Sequence, residues 1–81
     1  MRSGGQRQVY LLVEPMASAR LGRRLTALRT QRKLSRHALA ERADISREYV
    51  RLLEAGRYDP TVTVLRRLAK ALGVDAAELL R

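Results

Sequence analysis

Few residues of this chain could take part in covalent or metal chemistry. The 81 residues include one histidine, His37, and no cysteine, and no two carboxylates share a helical spacing that would bring them into a common pocket. A metal site would need more ligands, and no glycine-rich loop is present to cradle a phosphate. We therefore expect no enzymatic activity, no metal and no cofactor. We interpret His37, which follows Arg36, as an exposed or phosphate-proximal imidazole.

Positive charge is the dominant chemical feature of the sequence. Seventeen Lys and Arg against eight Asp and Glu give a formal net charge of +9, and nearly all of the cations are Arg. A basic excess of this size on a small domain indicates a polyanionic partner. The planar guanidinium fork suits bidentate contacts with phosphate or with guanine. A GC-rich genome would also favour Arg over Lys, but it would not explain the net charge.

Length and composition limit the fold to one small domain. Eighty-one residues bury a small core without forming an enzyme cleft. Because Phe and Trp are absent and hydrophobic residues make up 46% of the chain, that core must be aliphatic. The lack of cysteine fits a reducing compartment, and the longest apolar run, residues 9–13, is far too short to span a bilayer. We expect a soluble, cytoplasmic protein.

Two short helices joined by a tight turn are predicted within residues 35–54, SRHALAERADISREYVRLLE. Ser35 and Ser46 each precede an apolar-periodic run, where a hydroxyl can accept the free amide hydrogens of a first helical turn. Between the runs, Asp44 tolerates a left-handed backbone. Ala40 is small where the helices would cross, and Val50 would plug the space between them. This spacing is typical of a helix-turn-helix.

Three further helices are predicted around this unit. Helical periodicity begins at Ser18, and the apolar face of the first helix carries Leu21, Leu25 and Leu28. Gly56 is expected to end the helix that follows Ser46, and residues 75–78 read as a capping box that starts a short fifth helix. The fourth helix is expected to be capped by Thr61, to end at Gly73, and to bury Val62, Leu65, Leu68, Ala69 and Leu72.

The flanking residues strengthen the match to a known family. The chain resembles the phage-repressor/Cro-like (XRE-type) helix-turn-helix family from about residue 21 to residue 80, and the resemblance implies an all-α, five-helix, lambda-repressor-like domain over residues 18–81. The matching positions are Leu34-Ser35, Leu39-Ala40, Ile45-Ser46, Val50, Leu53-Glu54, Gly56, Pro60 and Leu68–Val74.

The resemblance implies a DNA-reading face on the second helix of the motif, residues 47–55, which would lie in the major groove. Arg47 would read guanine through its N7 and O6 acceptors. Glu48 would either accept a hydrogen bond from a cytosine amino group or orient Arg47. Arg51 would read a base or contact a phosphate, and Leu52 would contact a thymine methyl group.

The same resemblance implies phosphate contacts and one structural ion pair. Arg29 and Glu54 correspond to a partly buried pair that ties the first helix to the third, so we assign them a structural role. Lys33 and Asp44 occupy turn positions where relatives usually carry Gly. The expected phosphate contacts are Arg36, Ser46, Arg57, Tyr58 and Thr61.

The N-terminal extension, residues 1–17, differs in composition from the rest. Val9–Val13 is β-prone and apolar, and because a lone strand cannot bury itself it would pair with the same strand of a second subunit. Two other interpretations stay open: a passive tail, and a basic arm that reaches the minor groove through Arg2 and Arg7.

The sequence as a whole favours a sequence-specific, double-stranded DNA-binding regulator of transcription that acts as a homodimer on a palindromic operator. One alternative is an antitoxin, in which the extension would bind a toxin protein and the same domain would bind DNA for autoregulation. Another is a protein–protein adaptor that keeps the fold without specific DNA affinity, although such an adaptor has no need for arginines clustered around one helix. A third is a non-specific nucleic-acid packager.

Overall fold

The structure is a computed structural model that describes residues 18–81, and this part of the chain is helical with no strand. The predicted all-α, five-helix fold is confirmed. The extension predicted at residues 1–17, with its strand Val9–Val13, lies outside the described residues. The helices are α1 (residues 18–31), α2 (Arg36–Ala43), α3 (Arg47–Glu54), α4 (Val62–Leu72) and α5 (Ala76–Leu79).

Side-chain hydroxyls begin three of the helices, as predicted. Ser35 Oγ and Ser46 Oγ each accept a backbone N–H three residues on, both at 3.0 Å, and Thr61 Oγ1 does the same at 3.2 Å. Each cap satisfies an amide hydrogen that has no partner within its helix. The capping box predicted for α5 is wrong, because Asp75 makes no side-chain cap bond. Glu78 instead turns its carboxylate towards Arg24.

Left-handed residues end the helices and set the angles between them. Gly56 and Gly73 follow α3 and α4 with φ of 74° and 73°, as predicted. Lys33 and Asp44 adopt φ of 57° and 58° at the α1–α2 and α2–α3 turns. A residue with a Cβ atom is strained in this conformation, although the short polar side chain of Asp lowers the strain. Lys33 has no such relief, so its turn carries more strain.

The core is aliphatic and lies where α1 to α5 converge. Val62 was predicted to belong to it and does not, because its side chain is 65% exposed. Burial along α4 increases towards its C-terminal half, so the first turn of the helix projects beyond the core. The buried hydrophobic residues are Leu21, Leu25, Leu28, Leu39, Ala40, Ala43, Val50, Leu53, Leu68, Ala69, Leu72 and Leu79.

Arginine side chains join distant helices. Arg24 in α1 donates from Nε to the backbone oxygen of Glu78 and from Nη2 to its Oε2, both at 3.0 Å, which holds α5 against α1. Arg32 donates from Nε to the backbone oxygen of Leu72 at 2.5 Å, at the C-terminus of α4. That carbonyl has no partner within its own helix, and a cation is favourable there. These contacts fix α4 and α5 relative to α1.

Candidate nucleic-acid interface

The α2–turn–α3 unit is held together by its buried central residues. Val50 is fully buried and Ala40 is nearly so, and the backbone N–H of Ile45 donates to the oxygen of Ala40 at 3.0 Å. Asp44 occupies the left-handed turn between the helices. The predicted geometry of this unit is thus present, and it fixes the direction in which the outer face of α3 points.

An open depression of about 700 Å³ lies between the N-terminal parts of α2 and α3. Four of its side chains are arginines, and one carboxylate reaches it, so its lining is strongly basic. Such a lining attracts an anionic partner. The structure therefore brings three of the four predicted base-reading residues together with one predicted phosphate contact. The lining residues are Arg29, Ser35, Arg36, His37, Arg47, Glu48 and Arg51.

Arg47 is the first residue of α3 and its side chain is exposed. Among residues 18–81 it forms no ion pair, so its guanidinium group carries an uncompensated charge beside the depression. An arginine at the N-terminus of a helix opposes the helix dipole and brings no stability to the helix. The helix therefore gives no structural reason for an arginine at this position.

Glu48 and Arg51 form a bidentate ion pair on the exposed surface of α3. Arg51 donates from Nε to Oε1 of Glu48 at 3.0 Å and from Nη2 to Oε2 at 2.5 Å. The side-chain hydrogen bond from Arg51 lowers the pKa of the Glu48 carboxyl, and the same bond raises the pKa of Arg51. Glu48 thus does not orient Arg47, which was one of its two predicted roles; it orients Arg51.

Glu54 is the centre of a three-residue ion cluster. Arg29 donates from Nε and Nη2 to its two carboxylate oxygens at 2.6 and 3.2 Å. Nη1 of Arg29 also donates to the backbone oxygen of Leu34, at 2.8 Å. Arg36 adds a third contact with the carboxylate, from Nε to Oε1 at 2.8 Å. The Glu54 side chain is only 3% exposed, against 12% for Arg29 and 48% for Arg36.

Hydrogen bonding decides the charge state of Glu54. Burial by itself raises the pKa of the carboxyl, but the hydrogen bonds from Arg29 and Arg36 outweigh that effect, so the pKa of Glu54 lies below its usual value. A buried carboxylate keeps its charge only where partners compensate the loss of water. Arg36 was predicted to contact a phosphate. In the structure its Nε is bound to Glu54, while about half of its side chain stays exposed.

The remaining predicted residues lie outside the lining of the depression. Leu52 is half-buried on α3, and Ser46 is exposed and caps that helix. Arg57, Tyr58 and Thr61 are exposed in or just after the loop that follows Gly56, so they extend the surface of α3 along the chain. Arg29 was predicted as structural only, yet it also lines the depression. No local sequence pattern indicates this position, because the pairing partner Glu54 lies 25 residues away.

Comparison with known proteins identifies the family to which this chain belongs. The sequence matches the helix-turn-helix family over residues 25–79, which is more than half of the chain. This chain belongs to the XRE-type helix-turn-helix family of DNA-binding transcriptional regulators. The match confirms the resemblance to that family that was predicted from the motif residues.

Relatives of this helix-turn-helix protein include one from a phage and one from a bacterium. It is 39% identical over 59 residues to an immunity repressor protein of Bacillus phage phi105, a match that covers 73% of this chain and 41% of that protein. The chain therefore spans less than half the length of the phage repressor. It is also 39% identical over 59 residues to an uncharacterized HTH-type transcriptional regulator, y4dJ, of Sinorhizobium fredii, covering 73% and 77% of the two chains.

A solved structure has the same helix-turn-helix fold. The restriction-modification controller protein C.AhdI of Aeromonas hydrophila superposes with a TM-score of 0.75 at 34% identity, over 76% of this chain and 94% of that one. These relatives are named as repressors, regulators and controllers rather than as enzymes. In helix-turn-helix proteins the second helix of the motif enters the major groove, and α3 occupies the position of the second helix in the motif of this chain.

Residues 18–81 contain neither a candidate membrane span nor a candidate metal-binding cluster. None of the helices in this range is both long and apolar enough to cross a membrane. The same range holds no group of three His, Asp or Glu side chains placed to bind a metal ion.

Proposed function

We propose that this chain is a sequence-specific, double-stranded DNA-binding regulator of transcription that acts in the cytoplasm as a homodimer on a palindromic operator. The observation that carries the proposal is the position of Arg47. It lies exposed and unpaired within residues 18–81, at the N-terminus of the helix that enters the major groove in this family. An arginine there is placed to donate two hydrogen bonds to a guanine edge.

The other candidate contact residues fall into two groups, those further along α3 and those that flank it. Arg51 and Leu52 lie one turn further along the helix, where we assign Arg51 to a base and Leu52 to a thymine methyl group. Contacts with the phosphate backbone would fix the register of the domain on the duplex. We assign those contacts to Arg36, Ser46, Arg57, Tyr58 and Thr61, which flank α3 on the surface.

The homodimer is proposed because one motif reads only a few base pairs. Two copies related by a twofold axis would read two half-sites about 10 bp apart, or a multiple of that spacing. Exposed apolar residues support such an association: Val62 in α4 is 65% exposed and Leu80 after α5 is 59% exposed. A second copy that covered both would remove apolar surface from water.

Selection from a random DNA library followed by sequencing, at near-physiological salt, tests the proposal. We expect an enriched palindrome whose half-site spacing follows the helical repeat. Retention of DNA without enrichment would contradict sequence-specific regulation and favour a non-specific packager, whose affinity depends on salt and not on sequence. Lack of retention would favour an adaptor, and co-purification of a second small protein would favour an antitoxin.

A pair of charge-matched variants tests the central residue. Arg47→Ala should remove specific binding while the helical circular dichroism stays unchanged, because the side chain is exposed. Arg67→Ala is the control, since Arg67 is an exposed arginine of α4 outside the depression. It removes the same charge and should lower specific and non-specific affinity equally. Equal effects of the two variants would show that Arg47 contributes only charge.

A further inference from the structure

The Glu48–Arg51 ion pair uses one defined edge of the guanidinium group. The two bonds run from Nε and Nη2 of Arg51 to the two oxygens of Glu48, at 3.0 and 2.5 Å. A guanidinium group has five N–H donors in a planar fork. The pair occupies the side edge, so the outer edge, with one N–H from each Nη nitrogen, keeps two parallel donors. Those two donors match the adjacent N7 and O6 acceptors of guanine.

The ion pair also lies where the outer edge of the Arg51 guanidinium group could contact a base. Both residues line the depression between α2 and α3, on the exposed face of the helix that is proposed to enter the major groove. The side chain of Arg51 is 53% exposed and that of Glu48 is 63% exposed. An exposed i,i+3 ion pair adds little to stability, so the fold does not need it. The effect of the ion pair is to fix the orientation of the Arg51 guanidinium group.

The charge of Glu48 has the wrong sign for an affinity contact. A carboxylate next to a DNA backbone repels phosphates, and it cannot pair with guanine, whose major-groove edge carries only acceptors at N7 and O6. Within the pair, Glu48 cancels most of the charge that Arg51 would otherwise offer to the backbone. Non-specific binding depends on that charge, whereas reading a base depends on where the N–H groups point.

We infer that Glu48 is a positioning residue that holds Arg51 with its outer edge towards a guanine of the operator, so that Glu48 increases sequence discrimination while it lowers overall affinity for DNA. This inference rests on the proposed function and deepens it by naming a second guanine reader. It also replaces two earlier hypotheses for Glu48, which were contact with cytosine and orientation of Arg47.

Three variants test the inference, and one ratio of affinities is measured for each of them. The ratio is the affinity for the selected operator divided by the affinity for a scrambled duplex of the same length, both measured by fluorescence anisotropy at one salt concentration. Glu48→Gln removes the charge of the carboxylate and keeps its shape. Arg51→Lys keeps the positive charge but has no guanidinium edge. The double variant combines the two. Circular dichroism checks that each variant folds.

The inference predicts opposite effects of Glu48→Gln on the two duplexes. Affinity for the scrambled duplex should rise, because a negative charge is lost, while the ratio should fall about 2- to 10-fold, the cost of ordering one freed side chain. Arg51→Lys should lower the ratio about 5- to 150-fold, as expected for the loss of a bidentate base contact. In the Arg51→Lys background, Glu48→Gln should leave the ratio unchanged.

Other outcomes would overturn the inference in distinguishable ways. An unchanged ratio in Glu48→Gln would show that Glu48 is only an exposed charge. A ratio that still falls when Glu48→Gln is added to Arg51→Lys would show that Glu48 reads a base by itself. Both outcomes would leave the proposed function intact, because an operator would still be bound. Failure of the library to yield any enriched sequence would overturn the proposed function and this inference together.

Discussion

A Cβ atom at Gly22 would lie 2.5 Å from the backbone oxygen of Glu54, so α1 crosses the C-terminal end of α3 where there is room for only a hydrogen atom. The backbone oxygen of Leu53 would be 2.7 Å from the same atom. Backbone atoms cannot move aside as a flexible side chain can. The crossing therefore fixes the position of α3, and with it the position of the candidate interface, relative to α1.

This crossing predicts that Gly22→Ala destabilises the protein, although Gly→Ala normally favours a helix. We expect the free energy of unfolding to fall by about 2 kcal/mol or more, as in overpacked cores. Gly73→Ala is the comparison, because its Cβ atom would meet nothing within 4 Å while its φ is 73°. It should lose only about 1 kcal/mol through left-handed strain. Urea denaturation measures both, and an equal loss would argue against the close crossing.

The cluster around Glu54 predicts non-additive substitutions. Arg29→Met should lower the free energy of unfolding by about 2 kcal/mol, less than the loss of a buried partner usually costs, because Arg36 still faces the carboxylate. Arg36→Met should cost under about 1 kcal/mol because this arginine is half exposed. The double variant should exceed the sum by about 1 kcal/mol, since the carboxylate then has no cation. Strict additivity in urea denaturation would contradict shared pairing.

Stability should depend on acidic pH through Glu54. Its pKa is lowered in the folded protein, so its contribution is complete above the pKa of an exposed Glu, about 4.3, and is lost as the pH falls through the lower folded value. Glu54→Gln should therefore be less stable than the wild type at pH 7, and the difference should shrink below about pH 4. Urea denaturation at a series of pH values measures this difference.

The control for that pH series is Glu48→Gln. The pKa of Glu48 is also lowered, but its side chain is largely exposed, so water and salt screen the interaction. The stability of this variant should follow the wild type at every pH. If Glu48→Gln differed from the wild type in stability as much as Glu54→Gln does, surface charge rather than the buried cluster would govern the acid response.

The left-handed turn at Lys33 predicts a stabilising substitution. Its φ of 57° is disfavoured for any residue with a Cβ atom, and replacement by Gly removes that strain at the cost of some unfolded-state entropy. We expect Lys33→Gly to raise the free energy of unfolding by about 0.5 kcal/mol. Lys33→Ala removes the same charge while it keeps the Cβ atom, so it should show no gain. Thermal unfolding distinguishes the two variants.

Local chemistry made much of the fold predictable from the sequence. Ser35, Ser46 and Thr61 begin helices because their hydroxyls satisfy neighbouring amide hydrogens, and Asp44 and Gly73 end them because they tolerate a left-handed backbone. Each of these effects acts within about four residues. A sequence shows such short-range relations directly, and the order of helices followed from them.

Relations between distant residues were less accessible. Arg36 reaches Glu54 across 18 positions, and Arg24 reaches Glu78 across 54, and no local pattern indicates either contact. Val62 has the helical phase of a core residue, but burial also depends on where the neighbouring helices end. The Glu48–Arg51 pair is local, yet several orientations of Glu48 are compatible with its spacing. The structure shows that Glu48 pairs with Arg51.

Arg24 and Arg29 each use two or more nitrogens to bind partners outside α1, including the backbone oxygens of Glu78 and Leu34. Arg32 binds the distant backbone oxygen of Leu72 through Nε and the nearby backbone oxygen of Leu28 through Nη1. A lysine in any of these places would carry the same charge on a single nitrogen and could not reproduce the planar, multidentate geometry. Replacement of all three by lysine would leave the formal charge at +9 and the attraction to a polyanion unaltered, yet it would remove the multidentate hydrogen bonds that supplement the core in joining this part of the chain to α3, α4 and α5. Some of the arginines of this protein therefore help to hold its helices together. Net charge alone does not show this role, because a folded regulator and an unfolded polycation can carry the same charge.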